Sequence, residues 1–297
     1  MGEQFHVLPA ALRTLLEPPP GLDIDFSSPA GAPALVAADS VSWQIFANPI
    51  ALFIGGVAAV LLELAEPAVR SGVWDHSNFR RDPVTRLRRT GFAALVTVYA
   101  PRAEAQRMIA QVVRMHDRVT GITPEGAPYH ANDPHLLRWV HATALWGFAE
   151  AYHRYVTPLT DAQKDSAFAE GREAARLYGV KIPPNNWAEW ERLLEEMTPS
   201  LEDSAVLGEF LELMDNAPIL PGWTRPLQRL LVRAAVELVP APVRQFAALE
   251  SRRISRSEAR LVRGLGRSAG LVPLPGLPPA QARKRMACPL PSRERKH

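Results

Sequence analysis

Histidine is the side chain best suited to hold a metal or move a proton near neutral pH. Six of the eight histidines fall between residues 76 and 153: His76, His116, His130, His135, His141 and His153. Any one of them taken blind is more often a hydrogen-bonded core residue than a ligand. His141 stands apart through its surroundings in Pro134-His135-Leu136-Leu137-Arg138-Trp139-Val140-His141-Ala142-Thr143-Ala144-Leu145-Trp146. On a helix, Leu137 and Leu145 lie one turn either side of it on the same face, and the small Ala142 and Ala144 flank it. That face has room for a flat apolar macrocycle. Haem iron takes a neutral imidazole nitrogen, an apolar surround and cations for its propionates, and Arg138 sits one turn before His141. The same stripe also fits an ordinary core helix whose histidine bonds a backbone carbonyl.

A second constellation is Asp82-Pro83-Val84-Thr85-Arg86-Leu87-Arg88-Arg89-Thr90. A run of arginines is most often a solvated helix face. Here, however, Arg86, Arg89 and Thr90 share one side of a helix immediately before the apolar GFAALVTVYA, and a guanidinium entering a buried region needs an anion, for which a haem propionate qualifies. Other familiar chemistries are missing: the sequence has no P-loop, no Gly-x-Gly-x-x-Gly, no His-Glu-x-x-His and no Gly-x-Ser-x-Gly. Nor does it have the paired Glu-x-x-His motifs of di-iron bundles.

The elements that must position these residues are helical. From Val41 onward the pattern predicts helices up to Glu66-Pro67, then over Thr85–Tyr99, Ala103–Val119, Pro134–Tyr155, Asp161–Tyr178, Asn186–Met197, Leu201–Met214, Arg225–Leu238 and Ala241–Leu265. Asp82-Pro83, Asp133-Pro134 and Thr160-Asp161 mark starts, the last with Gln163 at capping-box spacing. The Gly55-Gly56 pair permits close approach of another backbone or a flat ligand. TGITPEGAPYHAN, between residues 119 and 133, suits a turn or short hairpin. No strand series alternates with helices, which excludes a Rossmann domain or a barrel. The prediction is one all-α globular domain over residues 41–268, for which globin-like packing is one arrangement. It is preceded by an irregular arm over residues 1–40, with a short helix at Ala10–Leu16, and followed by an irregular Pro/Arg-rich tail over residues 269–297.

The 297 residues are 47% hydrophobic and 22% charged, an ordinary globular balance. The single cysteine, Cys288, rules out an intrachain disulfide and a cysteine-based zinc cluster, as suits a reducing cytoplasm. The first twenty residues lack the pattern of a signal peptide. The most apolar run, Ile50–Leu62, spans 13 residues, short of the roughly 20 a membrane-spanning helix needs. Charge is uneven: residues 244–297 carry 13 Lys/Arg against three acids, leaving the first 243 residues at −7 against a chain total of +3. Such a basic end suits peripheral contact with an anionic membrane or, more commonly, a solvated tail, and without interleaved aromatics it does not suit nucleic acid.

The ordered succession of Trp43, Asn48-Pro49, Gly55-Gly56, Ala65-Glu66-Pro67, Asp75-His76-Ser77, Asp82-Pro83-x-x-Arg86-x-x-Arg89-Thr90, His116-x-x-Val119-x-Gly121, Tyr129, Asp133-Pro134 and Trp139-Val140-His141-Ala142-Thr143 resembles the bacterial oxygenase family of MpaB and the latex-clearing rubber oxygenases. The resemblance runs from about residue 41 to about residue 240 and implies an α-helical oxidoreductase that holds haem b through a proximal histidine. Arg138-x-x-His141 matches the family's ligand motif, and Arg86-x-x-Arg89-Thr90 matches its arginine and threonine near the haem. The second arginine after the ligand falls here at Leu145, and the lysine beside the threonine is Arg89. Glu66 is the candidate distal acid or base, and His116 the second candidate ligand. The function implied is a haem b oxygenase acting with dioxygen or peroxide on a lipophilic small molecule. A haem sensor or carrier is the alternative.

Overall fold

Side chains placed just before prolines start the central helices. Asn48 precedes Pro49 and its Oδ1 accepts from the Ile50 and Ala51 amides at 3.1 and 3.0 Å, starting helix α2 (Pro49–Ala65), which follows the short α1 (Val41–Ile45). Glu66 ends α2 and caps α3 (Pro67–His76), because proline disfavours helical geometry in the residue before it. Asp82 caps α4 (Pro83–Tyr99), which leads to α5 (Arg102–His116). The hairpin predicted after α5 pairs β1 (Thr120–Ile122) antiparallel with β2 (Pro128–His130), Gly121 opposite Tyr129. Asp133 then caps α6 (Pro134–Tyr155) through the His135 and Leu136 amides. The computed structural model describes residues 18–19, 22–220, 222–271 and 275–287, so the Ala10–Leu16 helix expectation and Cys288 lie outside the described residues.

The helix predicted over 161–178 is two, α7 (Asp161–Glu170) and α8 (Arg172–Tyr178), broken at Gly171 where Leu145 and His141 press against the backbone. α9 (Trp187–Met197), α10 (Ala205–Asn216) and α11 (Arg225–Leu238) follow. The stretch predicted as one helix over 241–265 is split into α12 (Ala241–Arg244), α13 (Ala247–Glu250) and α14 (Arg256–Leu271). A reciprocal cap restarts the last of these: Ser255 Oγ accepts from the Glu258 amide, and Glu258 Oε2 accepts from the Ser255 amide.

α2 and α6 form the most extensive helix contact. Their backbones touch at Gly55 and Gly147: a Cβ on Gly55 would lie 2.6 Å from the Gly147 carbonyl oxygen. The Gly55 position therefore admits a backbone, not a flat ligand. Around this pair lies the larger apolar cluster, which includes a stack in which Trp190 lies 5.7 Å from Trp139 and 5.4 Å from Trp146, the planes within 22°. A second cluster joins Phe26, Leu35 and Val36 of the N-terminal arm to Trp43, Phe92, Tyr99 and Ile109.

The chain from residue 269 departs from the expected irregular tail. α14 continues to Leu271, and Pro278–Ala287 form α15, whose two leading prolines occupy positions that need no amide donor. Arg285 of α15 is buried and donates to the carbonyls of Ala32, Phe26 and Tyr99 at 2.9, 2.5 and 2.8 Å. Among the described residues no single helix is long and apolar enough to cross a membrane; α2 and α3 reach that length only together, across a 109° bend.

Candidate functional site

His141 lies on α6 opposite the tryptophan stack. Its ring is held by shape: a Cβ on Gly171 would come 3.4 Å from His141 Cε1 and 2.8 Å from Leu145 Cδ1. Its Nε2 is buried with no hydrogen-bond partner. Burial lowers the imidazole to about 4, so it is neutral at physiological pH. An orphaned, neutral imidazole nitrogen costs stability unless something fills the place of its missing partner.

One turn before Pro67, α2 carries Glu63, the lone carboxylate in its apolar run. Thr143 of α6 donates to Glu63 Oε1 at 3.3 Å while also bonding the Val140 carbonyl at 2.9 Å. Burial pushes the Glu63 carboxyl up to about 7, against the pull of the Arg86 charge and the Thr143 bond. Arg86, on α4, is lowered by burial and held up by Glu63. The two attract through space without an ion-pair contact, and Arg86 spends its hydrogen bonding on Thr90. His116, at the end of α5, is lowered by burial first and also by the Arg86 charge, against the Asn132 side chain, which raises it; by hydrogen-bond geometry its Nδ1 has no partner among the described residues. Tyr178, at the end of α8, is raised by burial.

Glu63, Arg86 and His141 are thus deep enough for burial to dominate their titration, yet each keeps accessible surface. α4 itself rests on α5, α15 and α1, and its Val84 and Leu87 side chains pack against the cluster around α2 and α6.

The other sequence-derived candidates sit elsewhere or at the edge. Glu66 is a helix cap whose Oε2 accepts from the Val69 amide at 2.7 Å; burial raises its carboxyl, while the cap bonds and the charges of His135 and Arg70 lower it. Arg138 pairs with Glu196 of α9 at 3.2 Å. Arg89 and Thr90 are exposed on α4, with Thr90 Oγ1 also bonding the Arg86 carbonyl. The structure therefore puts Arg86 within electrostatic reach of His116 and of Glu63, which the sequence reading passed over, whereas the His141 shift comes from burial alone. A carboxylate directly after the uncharged run Ile50–Leu62 is the signal that could have found Glu63.

Among the described residues no group of three or more His, Cys, Asp or Glu is placed to hold a metal ion. A macrocycle that brings four of its own nitrogens asks the protein for a single axial ligand, and the orphaned His141 Nε2 fits that demand. A family model described as "ER-bound oxygenase mpaB/B'/Rubber oxygenase, catalytic domain" matches residues 43–271. No curated protein and no solved structure matches the chain.

Proposed function

Because the chain belongs to the family of MpaB and rubber-oxygenase catalytic domains, we propose that it is a cytoplasmic haem b-dependent oxygenase acting with dioxygen or peroxide on a lipophilic small molecule. The observation that carries this reading is the buried, unpartnered and neutral Nε2 of His141; on this reading the haem recess lies beside it, with Arg86 on the far side. Haem iron, when bound, supplies the activation of the oxidant.

The chain's own residues supply the rest. His141 would offer the iron a nitrogen that stays unprotonated above about pH 4, on a ring packed beside Gly171. Arg86 presents a guanidinium whose one hydrogen-bond partner among the described residues, Thr90, lies on its own helix, which suits it to a propionate carboxylate. Arg138 is a weaker candidate for that task because Glu196 already engages it. Glu63, near half-protonation at neutral pH, holds or releases a proton at Oε2 while Thr143 fixes Oε1. Glu63 thus takes the acid–base role for which Glu66 is the sequence candidate, since Glu66 is spent on its cap. Arg89 and Thr90 line the approach along the exposed side of α4.

The test is a hemin titration followed by the Soret band. Wild-type protein should bind and His141→Ala should lose or shift the band; an unshifted band in the variant removes His141 as ligand. Glu63→Gln should retain haem and change the pH dependence of dioxygen consumption with unsaturated lipophilic compounds. A haem carrier or sensor is the second reading, favoured by the other orphaned imidazole nitrogen, His116 Nδ1. A six-coordinate spectrum that His116→Ala converts to five-coordinate would favour it.

A further inference from the structure

α14 turns its apolar side inward, burying Val262, Gly266 and Ala269, and locks onto the core where Asn48 Nδ2 donates to the Gly266 carbonyl at 2.8 Å. Its outward side carries Arg256, Arg260, Arg263 and Arg267, all exposed. Spacings of four, three and four residues align them in one stripe along the helix. Among the described residues Arg256, Arg260 and Arg263 make no hydrogen bond or ion pair, and Arg267 bonds only the Val156 carbonyl at 3.3 Å.

The helix has one acid, Glu258, and it is already spent: it pairs with Arg233 of α11 and completes the cap with Ser255. The nearby carboxylates are engaged too, Asp215 by Arg252 and Glu237 by Arg244. Two exposed leucines share the outward arc of the helix: Leu271, at 84% accessibility, flanks the stripe, and Leu261, at 55%, lies about 100° round from Arg260 on the arc's other edge.

From this we infer that the outer face of α14 docks on an anionic phospholipid surface. The unpaired arginines call for a dense array of negative charge, and the leucines beside them call for an apolar layer within a side chain's reach of that charge. A bilayer with acidic headgroups provides both. A nucleic acid would leave the leucines in water, and α14 offers no aromatic side chain on which bases could stack.

The experiment is co-sedimentation of the full chain with vesicles of phosphatidylcholine alone or doped with phosphatidylserine. Binding should require the anionic lipid and fall as salt rises. The triple reversal R256E/R260E/R263E should weaken binding by roughly 100-fold while leaving the circular dichroism and melting curve unchanged. L261S/L271S should weaken it by roughly tenfold. Equal binding to uncharged vesicles, wild-type binding by the triple variant, release of the protein from vesicles by competing RNA, or a loss seen only on reversing Arg293, Arg295 and Lys296 overturns the inference. The measurement needs no cofactor, so its outcome is independent of the haem reading.

Discussion

The two apolar clusters are built differently. The one around α2 and α6 is held by touching backbones at Gly55 and Gly147 and by three stacked indoles, so Glu63 and His141 stand on a wall with almost no freedom to shift. The other, around α4, gathers its contacts from the chain's N-terminal arm and α15, and Arg86 approaches Glu63 without reaching it. The rigid side carries a carboxyl raised and an imidazole lowered by burial, and the α4 side carries a long, adjustable cation. Tight packing on one side is what makes orphaned polar atoms there costly, and thus informative.

The largest effect should come from disturbing the rigid wall. Gly55→Val places a Cβ against the Gly147 carbonyl and should destabilise the fold by about 3 kcal/mol or more, read from the urea midpoint. An effect under about 1 kcal/mol would mean that the α2–α6 contact can open freely, and the contrast between the walls would fail.

Titration sharpens the same contrast. Glu63 rises from an ordinary 4.5 to about 7, so the folded chain holds that proton more tightly; the stability this provides is full below 4.5 and is lost as pH rises to about 7. His141 falls from 6.5 to about 4, so its contribution is present above 6.5 and is lost as pH falls to about 4. Within their shared window the two slopes oppose, each worth roughly 3 kcal/mol at most. Glu63→Gln should therefore unmask stability that rises with pH between about 4 and 6.5, and His141→Gln stability that falls between 4.5 and about 7. Identical denaturation profiles for both variants would show that the two groups are not buried as described.

The smallest effect belongs to the candidate that turned out to be a cap. Glu66→Ala should cost about 1 kcal/mol, as the loss of a helix cap does, and leave hemin affinity unchanged. A marked fall in affinity would return Glu66 to the recess.

Much of the fold was legible because helix starts are local events: Asp82, Asp133 and Thr160 cap the amides that their position in sequence predicts. The breaks were not. Gly171 interrupts a helical pattern because Leu145 and His141, from another helix, occupy the space its side chain would need. α15 was hidden by prolines that read as breakers but stand where a helix tolerates them, and by Arg285, a cation whose burial depends on carbonyls far back in the sequence. Near the candidate site, the place of His141 on a helix beside apolar neighbours was readable from the sequence. The partners of Arg138 and Glu63 were not, because Glu196 and Thr143 are brought near only by tertiary packing.

Arg285 carries one more consequence. Its three carbonyl partners belong to the arm at Phe26 and Ala32 and to the last turn of α4 at Tyr99. Two segments far apart in sequence are thereby tied onto the helix that bears Arg86. A deletion that removed Phe26 and Ala32, or Arg285, would act on Arg86 from a distance, by letting that mooring slip.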